Sequence, residues 1–277
     1  MGGDGGNGLR KQHLPRHKET CVQQALKGWN PMIFHSAQNT AEIIHGDCLE
    51  VIPTLRDGYA MVIADPPYAS GGGGIREKQR STSDKYGIDS PRFADFEGDA
   101  RDQRSWVSWM AQWMSAARSK CIDTAVIAVF TDWRQLPSVT DAMQWAGWLW
   151  RGIVTWDKVN PRPQLGRFKQ QCEFVVWGSK GAMPPDREIG VLPGLFSYSM
   201  PTGAKRMHQT EKPVPLLCDL MRICPVGGKI LDPFMGSGAA EEAALRTGHD
   251  VTGTEITGHY FGTSTERMRA FCGHAGA

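Results

Sequence analysis

The sequence predicts an α/β fold whose sheet is mostly parallel and is covered by helices on both faces. Short apolar segments bounded by turn residues alternate with segments of helical periodicity, which is the pattern of such folds. Two apolar segments end at distinctive turns: residues 61–64 lead into Asp65-Pro66-Pro67-Tyr68, and residues 229–232 lead into a loop with Gly236 and Gly238. Because open α/β sheets bind ligands beyond the carboxyl ends of their strands, we expect these two turns to form the functional site.

Seven segments are predicted to be strands, and helices are predicted between them. The strands are expected at residues 43–45, 61–64, 125–130, 153–156, 173–177, 229–232 and 250–254. The helices with the clearest signals are expected at residues 136–147, 213–222, 239–247 and from about 257 onward. A further helical stripe consists of Trp106, Met110, Trp113, Met114 and Ala117. We interpret this stripe as facing the core, in preference to a base-stacking role.

The composition favours an intracellular protein without a metal centre. The 277 residues carry a formal net charge of +2, so any surface for nucleic acid must be a local one. Seven cysteines occur without a C-x-x-C pair, which favours reduced thiols in a cytoplasm-like compartment and no metal site. We expect no membrane span, because no apolar stretch reaches about 18 residues. We expect no secretion, because the N-terminus lacks an apolar signal segment.

Two segments are predicted to be long loops of a single domain at residues 29–277, which follows a disordered basic arm at residues 1–28. The first, residues 69–102, contains a run of four consecutive glycines, and loops of this length are usually functional or disordered. Its basic cluster is Arg76, Lys78 and Arg80. The second, residues 157–171, is rich in Lys, Arg, Pro and Gln. Its basic residues are Lys158, Arg162, Arg167 and Lys169.

The glycine loop (residues 233–238) has the features of a nucleoside-binding turn. It follows a predicted strand and opens a predicted helix, so glycine permits close backbone approach and the helix N-terminus adds partial positive charge. Glu255 ends the next strand, where a carboxylate can accept hydrogen bonds from both hydroxyls of a ribose. The loop lacks the dinucleotide and triphosphate signatures, which favours a nucleoside without a pyrophosphate. An ordinary strand-to-helix turn would explain the loop alone equally well.

The Asp-Pro-Pro-Tyr turn (residues 65–68) presents groups that suit an exocyclic amine of a nucleic-acid base. Such an amine is a poor nucleophile, because its lone pair is delocalised into the ring. Two acceptors at its N–H bonds favour tetrahedral nitrogen and stabilise the positive charge that develops during attack. Asp65 offers a carboxylate, Pro66 a rigidly held carbonyl, and Tyr68 a face for a base turned out of the helix. The competing interpretation is a surface Pro-Pro turn or polyproline-type ligand.

Three motifs together resemble the amino-methylating DNA methyltransferases. They are Asp65-Pro66-Pro67-Tyr68, Phe234-x-Gly236-x-Gly238, and the segment of residues 208–213, His-Gln-Thr-Glu-Lys-Pro. The catalytic motif precedes the cofactor motif, and the segment with His208 lies just upstream of the latter. This order resembles the β group, a circular permutation of the common methyltransferase fold. The resemblance spans roughly residues 40–265.

The resemblance implies a Rossmann-like, permuted methyltransferase fold with a seven-stranded sheet, in which the hairpin around residues 153–177 supplies the last two strands. It implies S-adenosylmethionine as the cofactor. The implied catalytic residues, which hold and activate the target amine, are Asp65, Pro66, Pro67 and Tyr68. The implied cofactor-binding residues are Asp47, Asp65, His208, Thr210, Lys212, Pro213, Asp232, Phe234, Gly236, Ser237, Gly238 and Glu255. A simple helix N-cap is an equally good interpretation of Asp47.

The implied substrate is double-stranded DNA, and the implied product is N6-methyladenine, formed on a flipped base. Little room exists for a separate recognition domain, so DNA contacts are expected from the basic residues of the two loops. A solvated basic loop is the alternative for the second of them. The family also implies a homodimer and leaves open a companion restriction enzyme.

Three other functions stay open at this point. N4-cytosine methylation is the nearest, because Asp-Pro-Pro-Tyr is associated with adenine only as a tendency. An RNA or protein-glutamine amine is a more distant substrate. A catalytically silent DNA-binding relic is the alternative that is not an enzyme, and the intact Asp65 and glycine loop argue against it. Gln209 also stands where the family often has Pro, which weakens that local match.

Overall fold

The computed structural model describes residues 29–69, 101–161, 165–185, 189–200 and 211–274. The strands of the described residues are β1 Met32–His35, β2 Thr40–His45, β3 Tyr59–Ala64, β4 Cys121–Thr131, β5 Leu149–Asp157, β6 Cys172–Ser179, β7 Leu195–Ser197, β8 Lys229–Asp232 and β9 Val251–Glu255. Their α-helices are α1 Cys48–Val51, α2 Gln103–Lys120, α3 Leu136–Trp145, α4 Val214–Met221, α5 Ala239–Arg246 and α6 Gly258–His274.

One mixed sheet of nine strands runs through the described residues in the order β1-β2-β9-β8-β3-β4-β6-β5-β7. The five strands from β2 to β4 in this order are parallel, and β6 is antiparallel to both of its neighbours. The seven predicted strands are the seven central ones, and β5 and β6 form the expected hairpin. The edge strands β1 and β7 were not predicted, because four and three residues are too few to show a clear alternation.

The topology places β3 beside β8, although about 170 residues separate them in the chain. Val62 pairs with Leu231 in parallel register, so both strands end at the same edge of the sheet. The Asp-Pro-Pro-Tyr turn and the glycine loop therefore leave adjacent strand ends. β9 lies on the other side of β8 and brings Glu255 to the same edge.

Helices cover both faces of the sheet, as predicted. α1, α2 and α3 pack on one face and bury Trp106, Met110, Trp113, Met114 and Ala117 completely. α4, α5 and α6 pack on the other face around Met61, Ile63 and Ile230. The interpretation of the α2 stripe as core is confirmed, since its two tryptophans are completely buried within the protein. Helix α4 begins at Val214, one residue later than predicted, with Pro213 as its N-cap residue.

Three predictions concern parts of the chain outside the described residues. These parts are residues 1–28 and residues 70–100, so the basic arm, most of the first loop and the division into arm and domain stay predictions. None of the six cysteines in the described ranges forms a disulfide. No helix in the described ranges is long and apolar enough to cross a membrane.

Candidate active site

The Asp-Pro-Pro-Tyr turn follows β3, a strand in which all six residues are buried. The Tyr68 hydroxyl donates a hydrogen bond of 2.9 Å to Asp65 Oδ1, which closes the turn on itself. Trp106 Nε1, from the core stripe of α2, donates a hydrogen bond of 2.8 Å to the Pro67 carbonyl. The turn is thus fastened both internally and to the core. Among the described residues no hydrogen bond to the Pro66 carbonyl is formed.

Four charged side chains form what we call the charge cluster: Asp65, Lys212, Glu173 and Lys158. Lys212 Nζ lies 2.9 Å from Asp65 Oδ2 and 3.3 Å from Glu173 Oε2. Lys158 Nζ lies 3.3 Å from the other oxygen of Glu173. The Lys212 ammonium also donates to the Tyr68 hydroxyl at 3.1 Å. Two cations alternate with two anions, so the cluster is neutral when all four groups are charged.

The groups of the charge cluster differ in the direction and the cause of their pKa shifts. Burial raises the pKa of the Asp65 carboxyl, and the Lys212 ammonium acts against that rise. Burial also acts to raise the pKa of Glu173, but Lys212 and Lys158 outweigh it and hold that pKa below its ordinary value. The pKa of Lys212 is raised by Asp65 and Glu173 in spite of its burial. Asp65 is therefore the more basic of the two carboxylates.

The glycine loop turns sharply from β8 into α5. Gly236 and Gly238 have φ values of 55° and 81°, a region that L side chains rarely adopt. The Phe234 amide donates to Asp232 Oδ1 at 2.9 Å, and the Phe234 ring packs against Trp109 and Trp113. These contacts fix the position of the loop at the end of β8.

Glu255 is held at the end of β9 by backbone amides. Gly236 N donates to one carboxylate oxygen at 2.9 Å, and Thr257 N donates to the other at 2.7 Å. Burial raises the pKa of Glu255, and these two hydrogen bonds oppose the rise. Asp232, buried beside Asp65 and Glu255, has its pKa raised to about 8, chiefly by burial. Three carboxyl groups from neighbouring strands therefore converge on one edge, which favours a cationic ligand.

The structure brings most predicted site residues together, although not always in the expected contact. Lys212 contacts Asp65 directly rather than only lining the cofactor side. Asp47 caps α1 by accepting from Leu49 N at 2.8 Å, so its N-cap role is present, and its contact with the cofactor stays a prediction. Lys158 pairs with Glu173 and has 14% of its side chain exposed, and its contact with DNA phosphates stays a prediction. Arg167 and Lys169 are exposed.

Six predicted residues lie outside the described residues: Arg76, Lys78, Arg80, Arg162, His208 and Thr210.

Three site residues were missed by sequence reasoning: Glu173, Glu241 and Arg267. Glu173 opens a predicted strand, and only the pairing of β6 with β4 places it near Lys212. Arg267 Nη2 contacts Glu211 at 2.8 Å, and its Nη1 donates to the Ser237 carbonyl at 3.2 Å. Glu241 is fully buried next to β9. A charged residue on an otherwise apolar helix face would have been the sequence signal for Glu241.

Comparison with known proteins gives the same assignment by an independent route. The N6/N4 family model described as DNA methylase matches residues 59–200 and 191–266. The Type II methyltransferase M.HinfI of Haemophilus influenzae is 25% identical over 252 residues, covering 82% of this chain and 68% of the relative. The putative methylase YubD of Escherichia coli (strain K12) is 25% identical over 233 residues, covering 83% and 91%.

Two solved structures share the fold. The M1.HpyAVI–SAM complex has a TM-score of 0.59 at 23% identity and covers 82% of this chain and 98% of its own. The PvuII DNA methyltransferase (cytosine-N4-specific) has a TM-score of 0.60 at 16% identity and covers 85% and 92%. The family model spans well over half of the chain, on a methyltransferase fold whose two motif turns lie side by side. The chain therefore belongs to the DNA methylase family, the amino-methylating enzymes whose cofactor is S-adenosylmethionine.

Proposed function

We propose that the chain transfers a methyl group from S-adenosylmethionine to the N6 amine of an adenine flipped out of double-stranded DNA. The observation that carries this proposal is the juxtaposition of the Asp65 carboxylate and the Pro66 carbonyl with the glycine loop at adjacent strand ends. An amine held at the first turn then lies beside a nucleoside cofactor held at the second. A DNA base stacks on an aromatic face, and Tyr68 offers one.

The two acceptors of the turn act on the amine nitrogen. One N–H bond donates to Asp65 and the other to the Pro66 carbonyl, which directs the nitrogen lone pair away from the ring. The same acceptors stabilise the positive charge that develops as the bond to carbon forms. The methylated amine then loses one proton to solvent, and no covalent enzyme intermediate is needed.

The residues at the edge of the sheet fit S-adenosylmethionine. The positive φ of Gly236 and Gly238 lets the backbone pass close to a ligand, and the Glu255 carboxylate is preset for a ribose. Asp232 and Asp65 supply negative charge beside the cationic end. S-Adenosylmethionine supplies a methyl group on a positively charged sulfur. Pro213, Phe234 and Ser237 would line the same pocket, with His208 and Thr210 as further predicted contacts.

DNA contacts are proposed for residues 69–102 and for the segment around residues 165–171. In that segment Arg167 and Lys169 are exposed and flank Phe168, which is 98% exposed. Cations that alternate with an exposed aromatic ring suit contact with phosphates and bases together. Arg76, Lys78, Arg80 and Arg162 stay predicted phosphate contacts. Lys158, whose ammonium pairs with Glu173, also stays a predicted phosphate contact.

N4-cytosine methylation is the second candidate. The specific observation in its favour is the fold shared with the cytosine-N4-specific PvuII enzyme. Both reactions use the same acceptors on an exocyclic amine, so the shape of the base pocket decides between them.

The test is transfer of labelled methyl groups to DNA, followed by digestion and identification of the modified nucleoside. N6-methyladenine supports the proposal, and N4-methylcytosine supports the second candidate. Label in RNA or protein but not in DNA contradicts both. Wild-type protein that binds DNA yet methylates none of a varied set of duplexes would indicate a relic. Heat-treated protein and Asp65→Ala are the controls.

Homodimer formation, a cytoplasmic location and a role beside a restriction enzyme stay proposals. The homodimer follows from the family resemblance, and the cytoplasmic location agrees with cysteines that form no disulfide among the described residues. Light scattering of the purified chain tests the oligomeric state, with a mass near 61 kDa expected from about twice the 30.6 kDa of one chain.

A further inference from the structure

The charge cluster contains one cation that serves two acids. Lys212 Nζ lies between Asp65 and Glu173, at 2.9 and 3.3 Å, and its side chain is only 6% exposed. Glu173 stands at the start of β6, on a strand that contributes nothing to the predicted motifs. Its side chain is 18% exposed, so it is held in this place and does not sample solvent freely.

Asp65 has few free acceptor positions in this arrangement. Tyr68 donates to Oδ1 at 2.9 Å and Lys212 contacts Oδ2 at 2.9 Å. A substrate amine has to compete with these donors for the same carboxylate. An ammonium that neutralised Asp65 alone would make it a weaker acceptor, because a carboxylate's acceptor strength follows its negative charge.

We propose that Glu173 is a positioning residue for methyl transfer: it shares the Lys212 ammonium with Asp65, so that the Asp65 carboxylate stays ionised yet keeps acceptor strength for the amine of the base. Glu173 acts through Lys212 and does not contact the base. This inference rests on the proposed function, because it assigns a role in the same amine site.

The charges of the surrounding groups agree with a Lys212 ammonium that is shared between Asp65 and Glu173. Lys212 keeps Asp65 ionised, whereas the negative charge of Glu173 acts to raise the pKa of Asp65. Lys158 balances Glu173 from the side of β5. Among the described residues, the other titratable groups that face the cluster are Tyr68, whose hydroxyl also lies 3.4 Å from Glu173 Oε2, Asp232 at the end of β8 and Asp132 after β4. In the described ranges Lys212 forms ion pairs with Asp65 and Glu173 and with neither of these two aspartates, so Glu173 is the acid that shares its ammonium.

The test compares Glu173→Gln and Glu173→Asp with the wild type in steady-state methyl transfer. For Glu173→Gln we expect kcat to fall about tenfold, the scale of one weakened hydrogen bond to a charged group, while KM for the cofactor stays within about twofold. The acid limb of the plot of kcat against pH reports protonation of Asp65. It should move to lower pH, because removal of a neighbouring negative charge lowers the pKa of that carboxyl. Glu173→Asp keeps the charge and should keep the limb near its wild-type position.

Asp219→Asn is the matched control, because Asp219 accepts a hydrogen bond from Tyr198 at 2.6 Å away from the cluster. It should leave kcat and the acid limb unchanged. A second experiment repeats Glu173→Gln in a Lys212→Met background, where the loss of kcat should vanish or reverse, because no ammonium remains to be shared.

Two results would overturn the inference while leaving the proposed function intact. One is a Glu173→Gln enzyme that is folded and active with an unmoved acid limb. The other is an equal fold-loss in both backgrounds, which would show that Glu173 acts independently of Lys212. Absence of methyl transfer by the wild type would contradict the proposed function instead.

Discussion

At the scale of single residues, the proposed function places the chemistry on Asp65. Its carboxylate has the rigid Pro66 carbonyl beside it and the Lys212 ammonium, from a distant part of the chain, at 2.9 Å. Asp65→Asn keeps the shape but removes the charge, and it directs an amide N–H₂ group at either the amine or Lys212. We expect methyl transfer to fall by about a thousandfold, while calorimetric affinity for the cofactor changes by only a few-fold. A transfer rate within tenfold of the wild type would contradict the assigned role.

Glu241 is a buried acid whose presence costs stability. It is fully buried, and among the described residues neither of its carboxyl oxygens has a hydrogen-bond partner. Glu241→Met replaces it with an apolar side chain of similar length, so we expect the free energy of unfolding to rise by about 1–3 kcal/mol. Chemical denaturation at neutral pH measures this change. Glu266→Met, at an exposed position of α6, is the control and should change it by less than about 0.5 kcal/mol.

The pKa of Glu241 predicts how the free energy of unfolding depends on pH. Burial raises the pKa of Glu241 well above its ordinary value, so the folded state holds a proton that the unfolded chain releases. The stability that this proton provides is complete below the unfolded pKa and is lost as pH rises through the folded pKa. Glu241→Met should flatten that decline in the free energy of unfolding. Unchanged pH slopes in the variant would contradict this account.

At the scale of elements, α6 holds the glycine loop through Arg267. Its guanidinium donates to the Ser237 carbonyl and pairs with Glu211 at 2.8 Å and with Glu242 at 2.7 Å. Arg267→Gln loosens the loop without touching Asp65. We expect KM and Kd for the cofactor to rise about tenfold while kcat at saturation stays within about twofold.

Arg246→Gln is the matched control for Arg267, because it removes the other arginine on Glu242, which pairs at 2.8 Å on the surface of α5. It should leave the cofactor Kd unchanged. Equal effects of Arg267→Gln and Arg246→Gln on the cofactor Kd would show that the loss of a cation paired with Glu242 weakens binding. The link from Arg267 to Ser237 would then not be the cause.

Helix α2 supports the Asp-Pro-Pro-Tyr turn through a single indole. Trp106→Phe removes the hydrogen bond to the Pro67 carbonyl and leaves most of the apolar burial, so we expect kcat to fall several-fold, by about 3- to 10-fold. Trp148→Phe is the control, because Trp148 is also buried and donates to the Met114 carbonyl at 3.0 Å. Both variants should lose similar stability in thermal unfolding, and only Trp106→Phe should slow methyl transfer.

At the scale of the whole molecule, the sheet gathers Asp65, Asp232 and Glu255 from three neighbouring strands at one edge. Asp232 has a pKa of about 8 in the free protein and is therefore mostly protonated below that pH. A bound sulfonium lowers the pKa of nearby carboxyl groups, so cofactor binding at a pH of about 6.5 should release a proton. Its affinity should rise as pH increases towards the pKa of Asp232.

Calorimetry in buffers of different ionisation enthalpy measures this proton release. S-Adenosylhomocysteine, which lacks the sulfonium charge, is the matched ligand and should release fewer protons. Identical binding enthalpies in all buffers would contradict the predicted coupling between Asp232 and the cofactor.

Patterns of short range predicted most of the fold. Seven central strands, the α2 stripe and both motif turns were visible because each depends on burial or on turn residues within a few positions. The edge strands β1 and β7 were missed because such short strands carry too few residues to show periodicity. The pairing of Lys158 with Glu173 was missed because a basic, Pro-rich segment is usually solvated, and the pair requires an acid from another strand.

Local residue patterns were enough to indicate the class of chemistry: an acceptor-rich turn after one strand, a glycine loop after another, and an acid at the end of a third. These features can be recognised in the sequence because each depends on residue types within a few positions of a strand end. The tertiary structure alone decided which charges meet. Glu173, Lys212 and Asp65 come from three separate stretches of chain, and the strength of an ion pair depends on distances that only the pairing of β3, β4, β6 and β8 establishes.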